Sequence, residues 1–341
     1  MGFVKDVYNR GKRSALCVGL DTSYETLPDC MKYQISESGN HVETLVGFNQ
    51  KKIDVTRVRA AAYKLNLVNY LGSSHEALWQ TVGHVANGRP YIPTILDAKF
   101  ANPAHTNKKS AEWAFDALGV DAVTVMPNPG EEGLKPFLER SQTDGTGVLV
   151  VCRMSQGAEQ FQDDIVPLNL PAHLRKNIPP DVWGILQDQA LQVPWYAKVA
   201  LTVAWGWNIQ YGGNCGLVVG CTDDASAAHL KFVRSLVGDL LILVPGFGAQ
   251  GVGTLEAQAA RITQAGRTST GDGILVNAGR SIYPYGMGEN WLQDVERSAI
   301  MHNDALNIAR MQDIPIPADV ERPEFLRTRT HRRPLEEPFI T

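Results

Sequence analysis

Residues 91–99 read YIPTILDAK, a short apolar run that ends in two charged residues, Asp97 and Lys99. Seven further runs of the same kind are spread along the chain. They are ALCVGLD (15–21), AAAYKLN (60–66), DAVTVM (121–126), GVLVVCRM (147–154), GLVVG (216–220), LLILVPG (240–246) and GILVNAG (273–279). Runs of this length that are rich in β-branched residues are typical of buried strands. The sequence therefore predicts eight strands.

Stretches of helical length separate the predicted strands. Amphipathic patterns are clearest at residues 41–60, 110–119 and 225–238. Strands that alternate with helices indicate a parallel sheet, because a parallel pair needs a long crossover connection. Eight such units fit a closed barrel better than an open doubly wound sheet, which usually has fewer strands. We therefore predict an α/β fold, a single-domain (β/α)8 TIM barrel.

Two stretches do not fit the eightfold repeat. Residues 163–192 are rich in Pro, Leu and Asn and follow the fifth predicted strand, so we expect an insertion there. Residues 314–341 contain RTRTHRRPLEEP and are polar and interrupted by proline, which is typical of a solvated C-terminal extension. The barrel, with its insertion, would then span residues 1–313.

The composition excludes several classes of function. The 341 residues have a net charge of -4, so the chain lacks the basic field of a nucleic-acid or membrane-surface protein. The five cysteines are scattered, as is typical of reduced thiols in the cytoplasm. The eight histidines lack HxH or HExxH spacing, so we expect no metal site. No secretory signal is recognisable at the N-terminus, and we expect a cytoplasmic protein with a small-molecule ligand.

Charged residues gather where the first three predicted strands end. They are Asp21, Lys64, Asp97 and Lys99. The C-terminal ends of barrel strands surround one cavity, so these side chains should face each other. Asp97 and Lys99 are two residues apart and would point to the same side of an extended strand. Buried charges of alternating sign form either a structural network or a functional one, and this pattern favours function.

Polar residues also follow the later strands. Ser155 follows the fifth strand, and the stretch LVPGFGAQGVG (243–253) supplies glycines whose backbone N–H groups can approach an anion. Arg280, in VNAGRSI (276–282), can bind phosphate oxygens in a bidentate manner. Glycine-rich turns alone are weak evidence, but together with Arg280 they predict a phosphate site after the seventh and eighth strands.

Six segments in order resemble the orotidine 5'-monophosphate decarboxylase family, in its longer microbial form. They are GLDTS (19–23), FNQKKIDVTRVRAAAYKLN (48–66), ILDAKFANPAHTN (95–107), LVVGCTDD (217–224), LVPGFGAQG (243–251) and VNAGRSIY (276–283). The resemblance implies a cofactor-independent enzyme of pyrimidine biosynthesis that converts orotidine 5'-monophosphate, or a closely related carboxylated pyrimidine nucleotide, to UMP. It also implies a homodimer with active sites at the subunit interface.

The resemblance further implies roles for single residues. Lys99 would protonate the C6 carbanion as CO2 leaves, and Lys64 and Asp97 would complete the charged array around it. The implied substrate ligands are Asp21 for the ribose hydroxyls, Ser155 for the pyrimidine edge, Gln250 and Arg280 for the phosphate, and Thr106 from across the dimer interface. Gly279 is expected to bind the substrate as well.

One position departs from the family pattern. The loop after the third strand follows DxKxxD in the family, whereas this chain reads DAKFANPAHT (97–106), so Asn102 stands where the second catalytic aspartate is expected. The array of Lys64, Asp97 and Lys99 then has a net charge of +1. If one anion contributes about 2 to 4 kcal/mol to the discrimination of the transition state, its loss lowers the rate roughly 30- to 1000-fold.

Two alternatives follow from Asn102. The barrel could catalyse a different lyase or isomerase-type reaction on another phosphorylated substrate, which a metal requirement in activity assays would favour. It could instead be a non-catalytic nucleotide-binding homologue, which tight UMP binding without turnover would favour. The sequence also leaves open whether Asp163 or Asp164, in the expected insertion, replaces the missing carboxylate.

Overall fold

The computed structural model describes residues 2–24, 27–38, 41–71, 75–283 and 288–312. Eight strands form a parallel barrel: β1 (Leu16–Gly19), β2 (Ala62–Asn66), β3 (Thr94–Phe100), β4 (Ala122–Val125), β5 (Gly147–Arg153), β8 (Cys215–Val219), β9 (Leu241–Pro245) and β10 (Ile274–Ala278). Each pairs with its neighbour in this order, and β10 closes the barrel against β1. The eight strands coincide with the eight apolar runs, so the predicted (β/α)8 barrel is confirmed.

Helices connect the strands and cover the outside of the barrel. They are α1 (Phe3–Gly11), α2 (Asp29–Ser38), α3 (His41–Thr56), α4 (Leu67–Leu71), α5 (His75–Asn87), α6 (Ala104–Ala111), α7 (Gly130–Thr143), α8 (Ala172–Arg175), α9 (Pro180–Asp188), α10 (Trp195–Thr202), α11 (Asn208–Gln210), α12 (Asp224–Val237), α13 (Leu255–Gly266) and α14 (Trp291–Arg310). Two π-helical turns, Glu112–Leu118 and Val203–Trp207, extend α6 and α10. Within the described residues, we find no helix with the length and apolar character needed to cross a bilayer.

The interior of the barrel forms a small core of its own. Inward-facing side chains from the strands fill it: Cys17, Ala62, Ile95, Ala122, Leu149, Val218, Leu241, Leu243 and Leu275. Phe3 and Val7 of α1 pack beneath them, and a side chain at Gly147 would collide with the Phe3 ring. Because α1 closes the N-terminal end of the barrel, the opposite end is the one left open for a site.

Between β5 and β8 the chain leaves the barrel. The short strands β6 (Ile165–Pro167) and β7 (Gln192–Pro194) pair in an antiparallel manner, and α8 and α9 lie between them in the sequence. Arg153, at the end of β5, donates two hydrogen bonds of 2.8 and 2.7 Å to the Asp163 carboxylate and so ties this segment to the barrel. The division into a barrel of residues 1–313 with an insertion at 163–192 stays a prediction, and the predicted extension at 314–341 lies outside the described residues.

Candidate active site

A cavity of about 250 Å³ opens at the C-terminal ends of the barrel strands. Eight residues predicted from the sequence line it: Asp21, Lys64, Asp97, Lys99, Ser155, Gln250, Gly279 and Arg280. Three further polar side chains complete the wall: Asn66, Thr124 and Asn277. The cavity therefore brings the charged residues after the first strands together with the glycines and arginine after the last two.

Lys64, Asp97 and Lys99 form the charged array at one end of the cavity. The Asp97 carboxylate lies between two ammonium groups, with Oδ2 3.0 Å from Lys64 Nζ and Oδ1 2.6 Å from Lys99 Nζ. Asp21 Oδ1 lies 3.5 Å from Lys64 Nζ and accepts a hydrogen bond of 3.0 Å from the backbone N–H of Asn66. The Lys64 side chain is 5% exposed and that of Lys99 is 39% exposed. Lys99 is thus the array member most accessible to a ligand.

The surrounding charges keep Asp97 and Lys64 ionised. Burial would raise the pKa of Asp97, but the ammonium groups of Lys64 and Lys99 outweigh it and hold that pKa well below its usual range. Burial would likewise lower the pKa of Lys64, but the carboxylates of Asp21 and Asp97 outweigh it and raise that pKa. Asp97 and Lys64 therefore remain charged throughout the neutral pH range.

Lys99 has a left-handed backbone with a φ of 50°. The register between β3 and β4 shifts between Leu96 and Phe100, so Lys99 lies in an irregular part of the strand. The side chains of Asp97 and Lys99 do meet, but the regular strand alternation assumed from the sequence is not what brings them together. Such a conformation costs a non-glycine residue on the order of 1–3 kcal/mol and is often found at functional sites.

Thr124 of β4 stabilises this irregular backbone. Its hydroxyl accepts a hydrogen bond of 2.9 Å from the backbone N–H of Lys99. The same hydroxyl donates to Asp97 Oδ1 at 3.0 Å. One buried side chain therefore connects the main chain of Lys99 to the carboxylate that its ammonium group contacts.

The glycine loop, residues 246–253, forms the other end of the cavity. Gly246 and Gly248 have φ values of 117° and 88°, which favour glycine. A side chain at Gly248 would also collide with the Ser281 hydroxyl, so the loop after β9 approaches the loop after β10 closely. The loop leads into the N-terminus of α13, and Arg280 lies on the same cavity wall. Backbone N–H groups, a helix N-terminus and a guanidinium together suit a phosphate.

Gln258 of α13 fixes the shape of the glycine loop from behind. Its side chain is buried, and Oε1 accepts a hydrogen bond of 2.7 Å from the backbone N–H of Gly248. Its amide nitrogen donates to the carbonyls of Gly251 at 3.1 Å and Gly253 at 2.9 Å. The oxygen and the nitrogen of one side-chain amide thus bind the backbone of three glycines of the loop.

His302 of α14 supports the neighbouring loop. Its Nδ1 lies 2.8 Å from the Ser298 carbonyl and must donate there, which leaves Nε2 to accept from the Ser281 hydroxyl at 2.9 Å. Burial lowers the pKa of His302, so the neutral ring that this arrangement requires is favoured. The residue after Arg280 is therefore oriented by a buried neutral histidine.

The backbone of Ser155 is held at the cavity wall by its close contact with Gly220. A side chain at Gly220, just after β8, would collide with the backbone of Ser155. On the other side, the backbone N–H of Met154 donates to Gln162 Oε1 at 2.8 Å. The segment after β5 is therefore held between β8 and its own continuation, with Ser155 on the cavity wall.

Asn102 and Thr106 lie outside the cavity of their own chain. Asn102 is exposed in the loop after β3, and its carbonyl accepts a hydrogen bond of 2.6 Å from the buried side chain of Asn107. Thr106 is half-buried on α6. Within one chain, these two predicted site residues therefore do not join the eight that line the cavity.

Asp163 and Asp164 do not replace the missing carboxylate in the cavity. Among the described residues, the carboxylates that line the cavity are those of Asp21 and Asp97. Asp163 is instead paired with Arg153, with Oδ2 2.7 Å from the guanidinium. The asparagine at position 102 is therefore not compensated by the insertion of the same chain.

Several site residues were not predicted from the sequence. Asn66 lies two residues after Lys64, and this spacing would have placed it on the same side of β2. Thr124 and Asn277 are single polar residues inside apolar runs, and that interruption is the only sequence signal they give. Gln258 and His302 give none, because they act through the packing of helices behind the loops.

Comparison with known proteins identifies the family. Residues 14–287 match the pattern of the "Orotidine 5'-phosphate decarboxylase / HUMPS family". The orotidine 5'-phosphate decarboxylase of Cellvibrio japonicus (strain Ueda107) is 32% identical over 314 residues, which cover 91% of this chain and 100% of that protein. The orotidine 5'-phosphate decarboxylase of Thermomicrobium roseum is 37% identical over 273 residues, covering 79% of this chain and 81% of the relative.

Solved structures agree with the sequence matches. The OMP decarboxylase of Leishmania donovani has a TM-score of 0.66 and 26% identity, covering 91% of this chain and 99% of that chain. The UMP synthase of the same organism has a TM-score of 0.68 and 28% identity, and the chain spans 57% of its length. The relatives are enzymes, carboxy-lyases by name, and the prediction of an enzyme of this kind is confirmed. The chain therefore belongs to the orotidine 5'-phosphate decarboxylase / HUMPS family.

Proposed function

We propose that the protein decarboxylates orotidine 5'-monophosphate to UMP without a cofactor. The observation that carries this proposal is the charged array, in which Asp97 lies 3.0 Å from Lys64 Nζ and 2.6 Å from Lys99 Nζ. The array shares its cavity with Arg280 and the glycine loop, which suit a nucleotide phosphate. Membership of the family supports the same reaction.

The cavity wall suggests how the nucleotide binds. The phosphate would bind Gln250, Gly279 and Arg280 together with backbone N–H groups of the glycine loop. The ribose hydroxyls would donate to Asp21, whose carboxylate is 24% exposed. Ser155 would then contact the pyrimidine edge, and C6 with its carboxylate would lie against the charged array.

The charged array would act on the charge that moves during the reaction. As the bond from C6 to the carboxylate breaks, CO2 leaves and the electron pair stays on C6. The substrate carboxylate loses its charge next to Asp97, while the new charge on C6 lies beside the Lys99 ammonium group. Lys99 then transfers a proton from Nζ to C6, and water returns a proton to Lys99. Interactions of this kind lower the barrier because they favour the transition state over the bound substrate.

We further propose a homodimer in which each active site is completed by the partner. Asn102 and Thr106 support this, because both follow Lys99 closely in sequence yet lie outside the cavity of their own chain. Sedimentation equilibrium tests the assembly, with a dimer mass expected at micromolar concentration. A monomer that turns over substrate at full rate would contradict it.

We also propose a cytoplasmic location in pyrimidine biosynthesis. The five cysteines are free, and all but Cys30 are buried. Free thiols are typical of a reducing compartment, which supports the cytoplasm.

The direct test follows the absorbance of orotidine 5'-monophosphate with purified protein. We expect the substrate absorbance to fall and UMP to appear as the product on an ion-exchange column. No loss of absorbance with enzyme and substrate at equal concentrations would contradict the proposed function.

Asn102 favours a second candidate, a nucleotide-binding protein without turnover. An aspartate at this position would repel the substrate carboxylate and so promote its loss. Asparagine carries no charge and does not supply this effect. Isothermal titration with UMP separates the two candidates. Tight UMP binding combined with stable orotidine 5'-monophosphate would support the second candidate.

A further inference from the structure

Lys52 is a fully buried lysine beneath the cavity, and the proposed reaction does not use it. It lies on α3 with 0% of its surface exposed. Its Nζ donates a hydrogen bond of 2.7 Å to the carbonyl of Gly19 and lies 3.3 Å from the centre of the Tyr283 ring. In the part of the chain that the structure describes, it forms no ion pair with a carboxylate. This ammonium group is therefore held by a carbonyl and an aromatic face.

The stability of the barrel does not account for an amine at this position. Burial lowers the pKa of Lys52 well below its usual value, and Asp21 opposes that effect. Taking an ammonium group out of water is unfavourable, and an apolar residue of similar volume often stabilises a fold more than a buried charge does. A methionine would fill the same space without that penalty. Packing alone therefore does not explain the amine, and its contacts show which segments it joins.

The contacts of Lys52 lead to both ends of the nucleotide site. Gly19 ends β1, two residues before Asp21. Tyr283 follows Arg280 by three residues, and its hydroxyl donates to the Asp21 carbonyl at 2.8 Å. The amine thus contacts the segment that carries the Asp21 carboxylate and the segment that carries the Arg280 guanidinium.

The two segments already approach each other closely at this point. A side chain at Gly19 would meet the Cα of Gly279 at 3.0 Å, and one at Gly279 would meet Asp21 Oδ2 at 3.6 Å. A change of a few tenths of an ångström here would alter the distance between the carboxylate and the guanidinium that hold the two ends of a ribose phosphate. Lys52 contacts both segments at this point, so its loss would allow them to shift relative to each other.

We propose that Lys52 is a positioning residue for the ribose 5'-phosphate part of the substrate, because it joins the segment of Asp21 to the segment of Arg280. This inference rests on the proposed nucleotide binding. Lys52 does not reach the cavity wall and acts through the two residues that do. Its loss should weaken binding of the nucleotide, while the proton transfer by Lys99 on β3 should change little.

The test compares Lys52→Met with the wild-type protein. Methionine keeps the length and the apolar stem but removes the amine and its hydrogen-bond donor. We expect the KM for orotidine 5'-monophosphate and the Kd for UMP to rise about tenfold, with kcat within about twofold. The Tm should change little, because the gain from removing a buried amine offsets the loss of its hydrogen bond to the Gly19 carbonyl. A merely structural lysine would give the opposite pattern, a lower Tm with an unchanged KM.

Two further variants make the test specific. Ile53→Ala changes the neighbouring buried residue of α3 and should lower the Tm while leaving the KM unchanged within about twofold. Tyr283→Phe removes the hydroxyl that binds the Asp21 carbonyl, and it should raise the KM. In the double variant with Lys52→Met, Tyr283→Phe should raise the KM by a smaller factor than it does alone, because both changes act on the same segment.

The outcomes separate this inference from the proposed function. If the wild-type protein binds UMP but does not turn over orotidine 5'-monophosphate, the proposed function fails, and the Kd for UMP still tests Lys52. An unchanged Kd and KM in Lys52→Met would overturn the inference alone. A wild-type protein that does not bind UMP would overturn both.

Discussion

The two ends of the cavity hold their polar groups in different ways. In the charged array, side chains of opposite sign hold one another, with Asp97 between two lysines and Lys64 almost fully buried. In the glycine loop, the backbone is held from behind by Gln258, which accepts a hydrogen bond from the N–H of Gly248 and donates one to the carbonyl of Gly251. The charged array is therefore held by ion pairs, and the glycine loop is held by hydrogen bonds to its backbone.

This difference assigns a different task to each end. A phosphate has the same charge before and after decarboxylation, so in the proposed reaction the glycine loop and Arg280 would stabilise substrate and transition state alike and should mainly affect the KM. The charge at C6 appears only during the reaction, so the charged array should mainly affect kcat. Variants at the two ends test whether kcat and the KM respond separately.

The largest effect is expected for Lys99→Met. It removes the ammonium group that is proposed to protonate C6, and we expect kcat to fall about 1000-fold or more, with the Kd for UMP changed less than tenfold. Single-turnover kinetics and isothermal titration measure the two quantities. Lys109→Met, at an exposed lysine of α6, is the control and should leave kcat unchanged. A loss of UMP binding equal to the loss of kcat would break the contrast.

The second expectation concerns Asp97 and pH. The ammonium groups of Lys64 and Lys99 hold the folded-state pKa of Asp97 below its ordinary value of 3.8, so its contribution to stability is present above that pH and is lost as the pH falls through the folded-state pKa. We expect Asp97→Asn to lower the free energy of unfolding by about 3 kcal/mol at pH 7, because two lysines lose their shared anion. At pH 3 the difference should be smaller by about 1 kcal/mol. Urea unfolding at both pH values checks this, and an equal difference at both would contradict it.

The third expectation concerns Asn102→Asp, which tests the array across the proposed dimer interface. If Asn102 of one copy reaches the site of the other, a carboxylate there should raise kcat about 30-fold. Asn102→Ala changes the same side chain without adding charge and should stay within about threefold of wild type. A kcat that does not respond to Asn102→Asp would contradict the proposed arrangement.

A smaller effect is expected for Thr124→Val. Valine keeps the shape but removes the hydroxyl between the Lys99 backbone and Asp97, so we expect kcat to fall about tenfold with little change in the KM. Thr124→Ser keeps the hydroxyl and should recover most of the rate. If the valine and serine variants were equally slow, the hydroxyl bridge would not be the cause.

The smallest effect is expected for Gln258→Leu. Loss of the amide that holds three points of the glycine loop should raise the KM about fivefold, as expected for about 1 kcal/mol of lost positioning, and leave kcat unchanged. Gln264→Leu, at an exposed position of the same helix, is the control. A fall in kcat without a change in the KM would contradict the assignment of the loop to binding.

The fold and the charged array were predictable because both depend on the order of residues along strands. Each barrel strand is an apolar run, and a charged residue at its end has only one cavity to face. The motif around Asp97 and Lys99 predicted their meeting, but the left-handed backbone of Lys99 was not predictable. That conformation depends on the hydroxyl of Thr124, which comes from the next strand.

The support of the site was not predictable for a similar reason. Lys51 and Lys52 are adjacent on an amphipathic helix, yet Lys51 is exposed and Lys52 is fully buried. Their sequence context is the same, and the difference arises from how α3 packs on β1. Gln258 and His302 likewise act from helices behind the loops, at positions that no local motif marks.

We infer that the charged array promotes the loss of CO2 from the substrate and that Lys99 delivers the proton to C6. Conversion of orotidine 5'-monophosphate in D2O, followed by NMR of the product, tests it most directly, because the protons on lysine nitrogen exchange with solvent. We predict that substrate is consumed and that the UMP formed carries deuterium at C6. Substrate that remains intact in the presence of stoichiometric protein, or UMP that carries hydrogen at C6, would contradict the account.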